Sequence, residues 1–141
     1  EAVCFGKDKP YMTAILNIDM NSVGRWADKN RILYTEYSDL SRNPKVVELI
    51  EQQVKQLMSK LSPQNRVKKF SILHKQFTAD QGELTRTLKI RRNFVEQKYK
   101  ILLDGMYSDT QEVSLTSSQM ESVEEEVSLR VIQLKIEQGV A

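Results

Sequence analysis

With 141 residues, 40% of them hydrophobic, the chain suits one globular domain with a small core. Charged residues make up 28%, yet the formal net charge is +2, so overall charge does not mark a nucleic-acid binder. The lone Cys4 excludes an internal disulfide framework or Cys-rich metal site, and no apolar run nears the roughly 18 residues of a membrane span. There is no signal-peptide pattern, and the chain reads as soluble and cytosolic. It opens on Glu1 without Met, and Ala2 to Phe5 already reads as a strand, so a fragment of a longer polypeptide is expected.

Ala2–Phe5 and Tyr11–Ile18 are β-prone runs separated by GKDKP, a hairpin signature. In the second run Met12, Ala14, Leu16 and Ile18 form a uniformly apolar face expected to meet the core. Asp19 or Asn21 can cap a short helix that includes Val23 and Trp26 and fades near Asn30. YTEYSDLSRN reads as a loop with one helical turn. Asn43 at N-cap and Pro44 at N1 then open an amphipathic helix, with Val47, Ile50, Val54, Leu57 and Leu61 at helical spacing.

SPQN ends that helix, and Val67–Leu73 reads as a strand. FTADQGE is a loop in which Gly82 is free to take a positive φ. Leu84–Ile90 is expected to be extended, followed by a helix from Arg91 to Tyr107 with Val95, Tyr99, Leu102 and Met106 on one face. From Ile101 to Leu129 there are acidic residues but neither Lys nor Arg. VSLRVIQLKI then favours a strand, so two strands joined by the acidic stretch are expected, with a helix from Ser117 or Ser118 the alternative.

Few residues carry chemistry. His74 has no second histidine or nearby cysteine with which to build a metal or triad site, and it reads as a partly exposed residue at a strand end. Cys4 reads as packed, Trp26 and Tyr34 as anchors of a helix and a loop, and no Gly-rich phosphate loop occurs. The basic run stands apart: Arg86, Lys89, Arg91, Arg92, Lys98 and Lys100 face the single acid Glu96. It lacks interleaved aromatics before Phe94, which single-strand nucleic-acid binding would want, and a solvated helical face is an equal reading. Lys89 makes the better case. In an extended Leu84–Ile90, Leu88 and Ile90 would point inward and Thr87 and Lys89 outward, aiming an ammonium suited to bridging anionic oxygens.

GELTRTLKIRRNFVEQKYKILLDGMY resembles the C-terminal end of bacterial AMP-forming long-chain acyl-CoA synthetases, in the adenylate-forming superfamily. AVCFGKDKPYMTAILNID, SVGRWADKNRILYTEYSDLSRNPKVVELI and KKFSILHKQFTADQGE resemble that family's preceding segments in the same order, so the likeness runs from about Ala2 to Tyr107. Many members carry Pro where this chain has Arg86.

The resemblance implies an α+β fold: a small mobile lid, with a short mixed or antiparallel sheet packed against two to three helices. The lid would span residues 1–107, and 108–141 would be an extension, a β-hairpin or a strand plus helix. It implies that Lys89 matches the adenylation lysine, which bridges carboxylate and nucleotide oxygens while acyl-adenylate forms from a fatty acid and ATP. The lid then rotates so that CoA can attack. ATP, Mg²⁺, CoA and the fatty acid would be handled by the full-length enzyme, whose N-terminal adenylation domain is the lid's partner. No metal ligand and no cofactor-binding residue is assigned in this chain, which alone is expected to be inactive. The enzyme would be cytoplasmic, with peripheral attachment at the inner face of the membrane left open. Two other classes compete: a stand-alone adaptor using the basic helix surface and acidic tail, and a nucleic-acid module built on Arg86, Lys89, Arg91 and Arg92.

Overall fold

A computed structural model describes residues 1–115 and 127–134. The acidic run from Glu121 to Glu126, the alternative helix from Ser117 and the chain beyond Leu134 lie outside the described residues.

The opening hairpin forms as expected: β1 (Ala2–Phe5) pairs antiparallel with β2 (Met12–Leu16), Phe5 opposite Thr13. Asp19 accepts a hydrogen bond from Asn21 N–H and opens α1 (Met20–Lys29). The expected single turn in YTEYSDLSRN is a helix, α2 (Tyr37–Arg42). Asn43 Oδ1 accepts from Lys45 N–H at 2.9 Å and Pro44 fills the first helical position, starting α3 (Pro44–Ser59). After a 3₁₀ turn (Pro63–Asn65) the chain enters β3 (Val67–Ile72), which lies parallel to β2. The three helices form the crossover that a parallel pair requires.

The helix expected over 91–107 is broken into α4 (Arg92–Lys98) and α5 (Lys100–Met106) at Tyr99, whose φ of −106° and ψ of 27° leave the helical range. The apolar face is nonetheless as read: Val95, Tyr99, Leu102 and Met106 are all fully buried. Strands β4 (Glu112–Leu115) and β5 (Val127–Arg130) form an antiparallel ribbon. Then β6 (Ile132–Gln133) adds to the main sheet beside β3, giving the order β1-β2-β3-β6.

This is an α+β architecture with mixed pairing, and five helices appear among the described residues. The sheet is covered on both faces. Ala14, Phe70 and Ile72 pack with Val23, Ala27, Leu40, Val46 and Val47 of α1–α3. Val3, Phe5, Ile15 and Leu73 pack with α4, α5 and the ribbon residues Val113, Leu115 and Leu129. Hence β2 is not a one-faced strand: Thr13, Ala14 and Ile15 are buried alike, because each face meets its own core. On α3 the apolar stripe also differs from expectation. Leu57 and Leu61 are exposed, while Met58 packs against the core. At Gly105 the ribbon lies so close that a Cβ would come within 2.3 Å of Val113 Cγ2.

Candidate functional site

The expected extended run Leu84–Ile90 instead doubles back on itself. Leu84 and Ile90 form an antiparallel bridge and pack against the core, while Arg86, Thr87, Leu88 and Lys89 are exposed. Thr85 organises the turn. Its N–H donates to Lys89 C=O at 2.8 Å, its C=O accepts from Leu88 N–H at 2.9 Å, and its Oγ1 accepts from Lys89 N–H at 3.1 Å. Leu88 sits in the left-handed region at φ 64° and is 66% exposed, so it is not the inward-pointing partner of Ile90. Leu88 and Lys89 therefore do not alternate across a strand. What fixes the Lys89 backbone is the Thr85 turn, and what leaves its side chain outside is its place near the tip.

The base of the turn is anchored by a group the sequence reading overlooked. Glu83 is fully buried, its C=O accepts from Arg91 N–H at 2.8 Å, and its N–H donates to Thr78 C=O at 3.0 Å. Its carboxylate accepts from Lys75 Nζ at 2.9 and 3.0 Å, from Thr78 N–H at 3.1 Å and from the Tyr99 hydroxyl; Lys98 Nζ is 3.4 Å away. Burial, the largest influence on Glu83, opposes its ionisation. The hydrogen bonds from Tyr99, Lys75 and Thr78, with the Lys75 charge, outweigh it and hold the carboxyl below its ordinary value. Gly82, at φ 82°, makes the bend into this anchor, and a Cβ there would lie 2.8 Å from Phe94 Cζ.

These contacts sort part of the basic run; Arg86 and Lys100 are exposed and, among the described residues, share with Lys89 the lack of a side-chain hydrogen bond or ion pair. Arg91 donates from Nη1 to Gly82 C=O at 3.1 Å and lies over Phe94, and Arg92 donates to Cys4 C=O and lies over Phe5. Lys75 and Lys98 are committed to Glu83. Among the described residues the Lys89 ammonium has neither a hydrogen bond nor an ion pair. A compact, hydrated charge with three donors, held near a pinned tip, can insert between oxygens of an anionic group brought to it.

The other candidates resolve as structural groups. His74 is buried rather than partly exposed, and its Nδ1 has no hydrogen-bond partner among the described residues. Burial first, then the charges of Lys75 and Arg42, lowers its pKa to about 4. Cys4, Trp26 and Tyr34 are partly buried against the α1–α3 core. Among the described residues no cluster of His, Cys, Asp or Glu could hold a metal, and no helix is long and apolar enough to cross a membrane.

Long-chain-fatty-acid–CoA ligase FadD15 of Mycobacterium tuberculosis is 32% identical over 109 residues, which is 77% of this chain and 18% of that protein. The chain's homologues are long-chain fatty acid–CoA ligases. The ligase heimdall of Drosophila melanogaster is 36% identical over 70 residues, 49% of the chain and 10% of that protein. The ligase ACSBG2 of Rattus norvegicus is 44% identical over 48 residues, 34% of the chain and 7% of its own length. No protein-family model and no solved structure matches the chain. The chain therefore spans only about 18% of the ligase FadD15, a proportion that fits a lid fragment of an adenylate-forming enzyme.

Proposed function

We propose that this chain is the C-terminal lid of an AMP-forming long-chain fatty acid–CoA ligase and that Lys89 is its adenylation lysine. Residues 1–107 form the lid and 108–141 an extension, which shares the lid's core through Val113, Leu115 and Leu129. The observation that carries the reading is the contrast between an uncommitted Lys89 and its neighbours Lys75 and Lys98, which are tied to buried Glu83.

In the full-length enzyme, ATP, Mg²⁺ and the fatty acid bind in the large N-terminal domain. When the fatty acid carboxylate attacks the α-phosphorus of ATP, negative charge shifts towards the departing pyrophosphate. Lys89 enters the cleft with the lid and bridges carboxylate and nucleotide oxygens through this shift, stabilising the transition state electrostatically. The hairpin fixes the lysine backbone, so that only its side chain remains to be ordered at the moment of reaction. The lid then rotates as a body, withdrawing Lys89 so that the CoA thiol reaches the acyl-adenylate. Alone, the lid is inactive, and the full enzyme works in the cytoplasm.

The test is Lys89→Ala in the full-length enzyme, with the half-reactions measured separately. Acyl-adenylate formation should fall by about 100-fold or more, the loss seen when one preorganised donor is removed. Thioester formation from supplied acyl-adenylate should stay within a few-fold of wild type. Equal losses in both would remove the assignment.

A further inference from the structure

Leu88 is out of place in two ways at once. It holds a left-handed backbone at φ 64°, and its side chain is 66% exposed. In a short hairpin loop that closes with a left-handed residue, glycine or asparagine fits without strain and leucine does not. An exposed leucine recovers nothing within this domain, since it covers no core. Its neighbours show the contrast, with Leu84 and Ile90 turned onto the core and Leu88 turned away. Strain at a residue next to a candidate reactive group points to a role outside the domain's own stability.

We propose that Leu88 is a positioning residue that seats Lys89. When the lid closes for acyl-adenylate formation, the Leu88 side chain enters an apolar recess of the enzyme's own N-terminal domain. This rests on the lid reading above. The occupant follows from the chain's extent and from the site. The chain matches about 18% of the length of a homologous ligase, leaving most of that length to supply the opposing surface. One peptide unit joins Leu88 to Lys89, and the Thr85 turn binds both backbones, so anchoring the Leu88 side chain places the backbone from which the Lys89 side chain extends. Leu88 thus acts through Lys89 and does not itself touch reacting atoms.

The experiment compares Leu88→Ala, Leu88→Gly, Leu88→Met and Lys89→Ala in the full-length enzyme, reading both half-reactions and the urea midpoint. Ala keeps the strained backbone and loses the apolar body, whereas Gly loses both. Burying a leucine is worth about 10- to 100-fold, so Ala and Gly should each lower kcat/KM of acyl-adenylate formation by that factor. Both should spare thioester formation, Met should restore most of the activity, and Gly should not lower the urea midpoint. Ala and Gly variants with wild-type adenylation beside an inactive Lys89→Ala would overturn the Leu88 role and leave the lid reading standing. Losses shared by both half-reactions together with a lower midpoint would mark Leu88 as merely structural and also overturn it. Normal adenylation by Lys89→Ala would instead remove the parent reading.

Discussion

Replacing Glu83 by Gln tests whether the lysine hairpin stands on a buried charge network. Gln keeps the shape, but its single amide oxygen can accept from only one of Thr78 N–H and Tyr99, which bond different carboxylate oxygens, so the substitution removes the charge and one acceptor. It leaves two ammonium groups without their anion: Lys98, with its side chain 6% exposed, and Lys75, 20% exposed. Removing one member of a buried ion pair costs about 3–5 kcal/mol, so a loss of at least about 3 kcal/mol is expected. For a domain of this size about 3 kcal/mol corresponds to a fall of roughly 10 °C in Tm.

Urea unfolding followed by circular dichroism at pH 7 reads the difference. The pH dependence supplies a second check. Because the folded-state pKa of Glu83 is depressed, its contribution is present above the ordinary value of 4.5 and is lost as pH falls through the lower, folded-state pKa. The gap between wild type and Glu83→Gln should therefore narrow as pH drops below the ordinary value. A loss under about 1 kcal/mol at pH 7, or a gap that does not change with acid, would refute the anchoring role.

Two further outcomes are expected. His74 is buried neutral, with a pKa of about 4 against an ordinary 6.5, so the unfolded chain binds a proton between these values that the folded chain does not. Stability should fall as pH drops from 6.5 towards 4, by about 3 kcal/mol at about 1.4 kcal/mol per pKa unit, and His74→Gln should flatten that limb in urea titrations. Gly82→Ala places a side chain at φ 82° and against the Phe94 ring, and should lower stability by about 1–2 kcal/mol, measured by the same unfolding curves.

The elements legible in the sequence are those written by local chemistry. Asn43 and Pro44 announce α3, the GKDKP turn announces the first hairpin, and the four-residue apolar stripe from Val95 to Met106 marks a buried face. What could not be read depends on distant partners. The Leu84–Ile90 hairpin has no Gly, Asn or Pro at its tip, because Leu88 occupies the left-handed slot, so extended backbone was the natural expectation. Glu83 looks like a solvated loop acid until Lys75, Lys98 and Tyr99 converge on it. The break at Tyr99 leaves no local signal, since the residue keeps the helical spacing of its stripe while its hydroxyl reaches Glu83. Leu57 and Leu61 keep the helical period, yet the last turn of α3 presents Met58 and not Leu57 to the core, and the helix ends at Ser59 before Leu61.

The arrangement of charge around the hairpin bears on why one lysine is nominated and its neighbours are not. A group that must act on an incoming anion has to be accessible and must not be neutralised in place. Lys75 and Lys98 fail on both counts, since each is partly or largely buried and would have to leave a buried carboxylate that it helps to neutralise. Arg91 and Arg92 hold main-chain carbonyls and cover aromatic rings, so moving them would loosen the hairpin base and the β1 edge. Lys89 breaks no described contact when it engages a ligand, and its backbone is already fixed by Thr85. In a lid that moves as a body, that combination lets binding energy be spent on the reacting anion instead of on rearranging the lid.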